Sequence, residues 1–369
     1  MKITRLSSLA AVGAIAALTL AGCAANEGGA TPETEGSTGG DSALSGTIDA
    51  TGASSQTAAQ EAWVAAFQTA NPDVTVNYEP TGSGTGRENF LSGASAFIGS
   101  DRAFDDDEVA AGGFGACMTD DIVEVPLYIS PVAVAFNLEG VDTLNLDAAT
   151  IAGIFKGEIT NWNDDAIAAT NPDVELPDLA ITPVHRSDPS GTQETFTTYL
   201  QATAPDVWTD EPSDEWPLEG GEAAQGTSGV IQAISGGNGT IGFADASQVG
   251  DLGQVHVEVD GEFVAYSAEA ASLLVENSPL VEGRGEADLV FDVDPASATD
   301  GAYPIALVSY LIACEQYEDK EQAALIKAYL EYIASAEGQE AAAENAGSAP
   351  ISDGLREQVL AAIDLIQVD

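Results

Sequence analysis

Between Gly46 and Arg102 the chain repeats one unit: a short β-prone run, a polar turn rich in glycine and hydroxyl side chains, and a helix. Gly46 to Ala50 reads as a strand, Thr51 to Gln56 as its turn, and the next residues as a helix with Trp63, Val64 and Phe67 on its apolar side. Val74 to Tyr78, the turn Thr81 to Gly86 and a short helix from Arg87 to Leu91 repeat the plan. Ala94 to Ile98 predicts a third strand, ending at Gly99-Ser100-Asp101-Arg102. Such alternation is the pattern of an α/β fold. In open α/β sheets a ligand sits beyond the carboxyl ends of the strands, where these turns gather.

The Val-rich run from Ile122 to Asn137, interrupted by Pro126 and Pro131, predicts a buried strand passing from a first lobe to a second. The second lobe then holds a helix from Asp147 to Phe155, the loop Lys156 to Asp164, a strand from Ala180 to Val184, a helix from Ser228 to Ile234 and a strand from Thr240 to Ala244. After a loose acidic stretch from Glu282 to Thr299, the apolar run Tyr303 to Ala313 returns the chain to the first lobe. Helical periodicity over Lys320 to Ile333 and Asp353 to Ile366 completes it. The expected division is residues 45–130 with 303–369 in lobe 1 and 131–302 in lobe 2. Two crossings make a hinged clamp with its ligand in the cleft.

The first residues have a different character. A basic start, an apolar stretch from Leu9 to Leu20 and Leu20-Ala21-Gly22-Cys23 predict an export signal over 1–22, and they resemble the lipobox at which bacterial lipoprotein precursors are cleaved and lipidated. Cys23 would carry the lipid, which anchors the protein to the outer face of the cell membrane, the periplasmic side where there is an outer membrane. Residues 23–44 are polar and glycine-rich and read as a disordered tether. Beyond the signal, eight Lys and Arg face 60 Asp and Glu. Nucleic acid is excluded as a partner, since phosphate-backbone binding needs a basic face. Cys117 and Cys314 remain, an isolated pair in an exported chain, and are expected to form a disulfide.

One of those scarce cations opens the run Arg186-Ser187-Asp188-Pro189-Ser190-Gly191-Thr192. A guanidinium followed by a turn that opens a helix aims a fork of donors and free backbone amides at one small volume, which suits an anion. Gly52-Ala53-Ser54-Ser55 and Gly82-Ser83-Gly84 offer the same chemistry. Any one of these turns is ordinarily an N-cap; three with an arginine point to a ligand. Asp101 has the wrong sign for such a site unless the anion carries a proton to donate. At neutral pH phosphate does and sulfate does not, so Asp101 would accept from the first and repel the second. Arg102 is left open between pairing with Asp101 and reaching the ligand.

Taken in order, Thr51-Gly-Ala-Ser-Ser, Gly82-Ser-Gly, Gly99-Ser-Asp101, Ile154-Phe-Lys-Gly-Glu-Ile-Thr-Asn-Trp162, Arg186-Ser-Asp-Pro-Ser-Gly-Thr192 and Ile241-Gly-Phe243 resemble the substrate-binding protein of the bacterial phosphate-specific ABC importer, from about Ser45 onward. The resemblance implies a two-lobed periplasmic-binding-protein fold of type II, with two crossover strands and inorganic phosphate closed between the lobes. It implies a hydroxyl from Ser54, an amide from Ser55, a hydroxyl from Ser83, the acceptor from Asp101, a fork from Arg186 held by Asp188, and hydroxyl and amide donors from Ser190, Gly191 and Thr192. The partners implied are an importer permease and its ATPase. The resemblance further implies a monomer with no cofactor, metal or catalytic residue. Ser55 departs from the family, which often has an aromatic there.

The acidic surface does not forbid an anionic ligand. A charge ~20 Å away acts through water with roughly 0.2 kcal/mol before screening, and a Debye length of ~8 Å removes most of that. Hydrogen bonds to charged groups contribute about 1.5–3 kcal/mol each, so local donors win. Three other readings stand beside this one: a binder of another oxyanion such as sulfate or molybdate, a surface sensor on the same fold, and an ester hydrolase using Ser190, Asp188 and His185. The last lacks a Gly-x-Ser-x-Gly elbow.

Overall fold

The computed structural model describes residues 44–299 and 301–369. The export signal, Cys23 and the tether up to residue 43 lie outside the described residues. The chain opens with β1 (Gly46–Gly52), α1 (Thr57–Ala70), β2 (Val74–Glu79), α2 (Ser83–Ser92), β3 (Ile98–Ser100) and α3 (Asp106–Ala111). In β1 the side chains alternate, with Ile48 and Ala50 buried and Thr47 and Asp49 exposed. α1 buries Ala59, Trp63 and Phe67, four residues apart, on one face. β1 lies parallel between β2 and β3.

Next come β4 (Ile122–Asn137), β5 (Thr143–Leu146), α4 (Ala148–Phe155), α5 (Asp165–Thr170), β6 (Thr182–Arg186), α6 (Gly191–Thr203), β7 (Glu222–Ala224), α7 (Gly226–Gly236), β8 (Thr240–Asp245), β9 (Gly253–Val259), β10 (Glu262–Val264) and α8 (Ala268–Glu276). β11 (Ala306–Cys314), α9 (Lys320–Ala334), α10 (Ala336–Ala346) and α11 (Asp353–Ile363) close the chain. The strand order is β2-β1-β3-β11-β4-β8-β6-β7.

β4 holds this sheet together. It is buried almost throughout, so its sequence is a continuous apolar run without alternation. Ile122 to Pro131 pairs with β11, and from Val132 the strand changes partner to β8. Pro126 has no N–H to donate, and the register of β11 shifts between Ser309 and Tyr310, where the strands meet it. The chain's second passage leads into β11 at Ile305, whose carbonyl accepts from the Val132 amide. A disulfide joins Cys117, after α3, to Cys314 at the end of β11, with Cα atoms 5.3 Å apart.

Four expectations need correction. The strand expected over Ala94 to Ile98 shrinks to Ile98–Ser100, because the Ala94 and Ser95 amides turn back to the Asn89 carbonyl and close the end of α2. α2 begins at Ser83, so Gly84 and Gly86 belong to the helix instead of a turn before it. The helix expected over Ser228 to Ile234 runs from Gly226 to Gly236.

The acidic stretch after Glu282 is not loose. Arg284 pairs with Glu124 at 3.0 Å and with Asp288 at 2.9 Å, and the Leu289 amide donates to the Glu124 carbonyl. This segment therefore docks on the first half of β4 well before the return expected at 303. Burial and the nearby Asp288 carboxylate push the Glu124 carboxyl well above the ordinary range.

Candidate functional site

The turns singled out in the sequence meet at one place. Ser54 and Ser55 lie between β1 and α1, Ser83 opens α2, Asp101 follows β3, Arg186 ends β6, and Ser190 caps α6 by accepting from the Gln193 amide. Each turn carries the chain off a strand end and into a helix or loop, so helix amino termini face the junction between the two halves of the sheet. The Gly191 and Thr192 amides, in the first turn of α6, have no intrahelical partners.

Asp101 is the centre, and only 7% of it is exposed. Its Oδ1 accepts from the hydroxyls of Ser55 and Ser309, each at 2.6 Å, and its Oδ2 from the Thr192 hydroxyl at 2.7 Å. Its amide donates to the Ser83 hydroxyl oxygen at 3.1 Å, which leaves the Ser83 hydrogen free to donate elsewhere. Three donors with one carboxylate form a tight shell, and each comes from a different element: the loop before α1, strand β11 and helix α6.

Arg186, also buried, is held from behind. Its Nε donates to Asp188 Oδ1 at 2.8 Å and its Nη2 to Asp188 Oδ2. Those two bonds fix the plane of the guanidinium and leave the Nη1 edge of the fork available. Asp188 Oδ1 also accepts from the Gly226 amide at 3.0 Å, so the start of α7 secures the arginine's partner. Arg186 carries one positive charge against the two carboxylates Asp101 and Asp188. The attraction for an anion must therefore come from N–H and O–H dipoles, not from net charge.

The two sides of the site touch through backbone. A Cβ placed on Gly191 would lie 2.7 Å from the Arg102 nitrogen and from the carbonyl carbon and Cβ of Asp101. One on Gly84 would lie 2.3 Å from the Pro189 Cβ. The Gly84 amide donates to the Pro189 carbonyl at 3.1 Å. Only glycine permits these approaches.

The Ser54 hydroxyl, expected to face a ligand, also reaches across to the other side of the site. Its oxygen accepts from the Thr227 amide at 3.0 Å and lies 3.0 Å from the Thr227 hydroxyl, and its carbonyl accepts from the Gln248 side chain. Ser54 thus spans to α7. Arg102 pairs with neither Asp101 nor the interior of the site: it forms a fork with Glu108 at 2.7 and 3.1 Å and lies 3.4 Å from Glu194. The Arg102 pairing and a backbone bond from Asp105 hold the Glu108 carboxyl below its ordinary range against its burial. Burial raises Glu194 to about 7, despite Arg102 beside it. Asp245, buried beneath Tyr128 and Ser247, is raised by burial to about 6.

His185, considered above as a base, stacks on Trp216 with ring centroids 4.8 Å apart, and its two ring nitrogens face the carbonyls of Arg186 and Gly220. Both of its ring nitrogens are turned toward backbone, and neither is turned toward Ser190. Among the described residues no group of His, Cys, Asp and Glu has the arrangement of a metal site.

Sequence reasoning missed Ser309, Thr227 and Arg87. Ser309 had a visible signal, a lone polar residue inside the apolar run Pro304 to Ala313. Thr227 and Arg87 had none, because their importance comes from which element faces them. A cavity of about 750 Å³ borders the site at Asp101 and Gly191 and is lined also by Phe291 and Tyr310.

Residues 36–337 match the model of the PBP superfamily domain. The chain is 33% identical, over 376 residues covering 99% of it and all of the relative, to phosphate-binding protein PstS 3 of Mycobacterium tuberculosis. It is 30% identical over 67% of its length to phosphate-binding protein PstS of Xylella fastidiosa, of which 66% is covered. Among solved structures, a high-affinity periplasmic phosphate-binding protein, PfluDING, bound with phosphate, superposes with a TM-score of 0.70 at 23% identity, covering 86% of this chain and 93% of that one. A phosphate-binding protein of Stenotrophomonas maltophilia gives 0.62 at 19% identity, covering 86% and 94%. At these identities the structures speak to the fold, a two-lobed periplasmic-binding α/β plan.

Proposed function

The chain belongs to the PstS phosphate-binding proteins of the periplasmic-binding-protein superfamily, and we propose from this that it captures inorganic phosphate with high affinity outside the cell membrane for uptake by an ABC importer. The observation that carries the reading is Asp101, a buried carboxylate at the centre of a shell otherwise made of donors. A fully deprotonated oxyanion meets only repulsion from it, whereas hydrogen phosphate donates its proton to it.

In this proposal Arg186 supplies the fork, Ser55, Gly191 and Thr192 supply amides, Ser83 and Ser190 supply hydroxyls, and Asp188 positions Arg186. Ser54 supplies a hydroxyl and also makes a contact between the lobes. Lobe 1 comprises 45–130 with 303–369, lobe 2 comprises 131–302 with the Arg284 segment docked back on lobe 1, and ligand binding closes them. The protein is lipid-anchored at Cys23 on the outer face of the membrane, works as a monomer, takes no part in bond breaking, and hands phosphate to a permease driven by its own ATPase.

Titration calorimetry on protein stripped of carried-over ligand tests this. Tight binding of phosphate with sulfate weaker by two or more orders of magnitude is expected; equal binding of the two refutes it.

A further inference from the structure

Only eight cations lie beyond the export signal, and two of them, Arg87 and Arg102, sit side by side at the rim of the site, facing carboxylates from the other half of the sheet. Arg87, on α2, places Nη2 2.6 Å from Asp214, in the segment after α6. Arg102, after β3, lies 3.4 Å from Glu194 on α6 and 3.9 Å from Asp214. The Arg87 side chain is 6% exposed and that of Asp214 22%, so the pair is largely shielded from water and salt. Burial and the neighbouring Arg102 charge lower the Arg87 guanidinium, while Asp214 opposes both. Two guanidiniums this close repel each other; Glu108 and Asp105 on their own side offset part of that cost at Arg102, and Asp214 and Glu194 across the cleft offset the rest.

The ends of the Arg87 pair are wired into the ligand shell on both sides. Arg87 Nη1 donates to the Ser100 hydroxyl at 3.1 Å, one residue before Asp101. The Asp214 carbonyl accepts from the Ser190 amide and from the Gln193 side chain, each at 2.9 Å, at the cap of α6. Opening the cleft separates Arg87 from Asp214 and leaves each charge without its partner; closing it brings Ser100 and Ser190 into register at the same stroke.

We propose that the Arg87–Asp214 and Arg102–Glu194 contacts form a cross-cleft latch that stabilises the closed state and so sets how long the ligand is retained. The ligand used to test it rests on the phosphate reading above; the closure itself does not. Because the latch touches no ligand atom, it acts on dissociation: encounter occurs with the lobes apart, when the pairs are unmade.

The experiment uses the full chain with Arg87→Gln, Asp214→Asn, the double variant and Arg87→Lys. Stopped-flow measurement with inorganic phosphate is expected to show koff raised about tenfold or more in each neutralised single variant and kon changed by less than about twofold. The double variant is expected to be no worse than the worse single one, as for two groups acting as a pair, and Arg87→Lys is expected to restore part of the loss. In parallel, spin labels at Leu91→Cys and Glu211→Cys, on opposite sides of the cleft, report the separation of the lobes without ligand. That distance is expected to lengthen or broaden in Arg87→Gln and Asp214→Asn. Unchanged koff, or single effects that multiply in the double variant, overturn the latch. If the unaltered protein binds no phosphate, the functional reading fails; a label distance unmoved by Arg87→Gln then overturns the latch as well, and a lengthened one supports it.

Discussion

Gly191→Ala is the sharpest perturbation the structure offers, because it adds one methyl group that matters only when the lobes are together. The new Cβ would sit 2.7 Å from the Arg102 nitrogen and from two carbons of Asp101. Carbon atoms in contact ordinarily lie about 3.5–4.0 Å apart, so about 0.8 Å of overlap must be relieved against backbone, which cannot rotate away. Backing the lobes off by about 1 Å takes the Thr192 hydroxyl, now 2.7 Å from Asp101, beyond hydrogen-bond range. The Gly84 amide, 3.1 Å from the Pro189 carbonyl, is lost with it.

One bond to a charged group, at about 1.5–3 kcal/mol, and one backbone bond, at about 0.5–1.5 kcal/mol, amount to roughly 2–4.5 kcal/mol, or about 30- to 2,000-fold in affinity. In the open protein the methyl touches nothing across the cleft, and alanine in the first turn of α6 suits a helix better than glycine. Calorimetry with phosphate beside thermal unfolding of the ligand-free protein separates the two effects. The expected result is a loss of at least about thirtyfold in affinity with Tm unchanged or raised. An affinity within threefold of the parent would refute both the close approach of the lobes and the claim that binding requires it.

Asp101→Asn removes the charged acceptor and presents an NH₂ group. Phosphate binding is expected to weaken and sulfate binding to strengthen, moving their ratio by about a hundredfold for a combined change near 3 kcal/mol, as read by competitive calorimetry. The Cys117–Cys314 bridge spans 197 residues, so loop-closure entropy assigns it up to about 5 kcal/mol; urea unfolding of the Cys117→Ser/Cys314→Ser variant should show a loss of that order at most. Asp245 has its folded pKa raised to about 6 from an ordinary 3.8, so the folded state holds the proton more firmly than the unfolded chain. That imposes about 3 kcal/mol of instability at pH 7, which is relieved as pH falls from about 6 to about 4. Urea unfolding at pH 7, 5.5 and 4.5 should show this rise, flattened in Asp245→Asn. The acidic surface should repel an approaching anion, so stopped-flow kon is expected to increase with salt while Kd changes little.

How much of this was written along the chain follows from the range of the forces involved. The strand-turn-helix units, the buried run of β4 and the helix-opening turns are local: apolar period, glycine and N-cap chemistry act over a few residues, and the sequence displays them directly. It also determined that Arg186 and Asp188 sit together, because two residues of separation allow little else. Boundaries failed where a backbone partner lay outside the window, as at Ala94 and Ser95, whose amides close α2 instead of extending β3.

Only tertiary structure decided who faces whom across the cleft. Ser309 reaches Asp101 from 208 residues away, Thr227 meets Ser54 from 173 and Asp214 meets Arg87 from 127. Such partners share no pattern in the sequence, since a side chain's orientation at that distance is fixed by the sheet order and by the bend of β4 between its two sets of partners. The sequence by itself determined that this chain would build donor-rich turns around one arginine and one misplaced-looking carboxylate. The fold decided that these turns close on each other through glycine backbone, and that two of the few available cations pair across the cleft beside them. Buried charges and hydroxyls need partners wherever the chain can bring them, and bringing them together is a property of the packed whole.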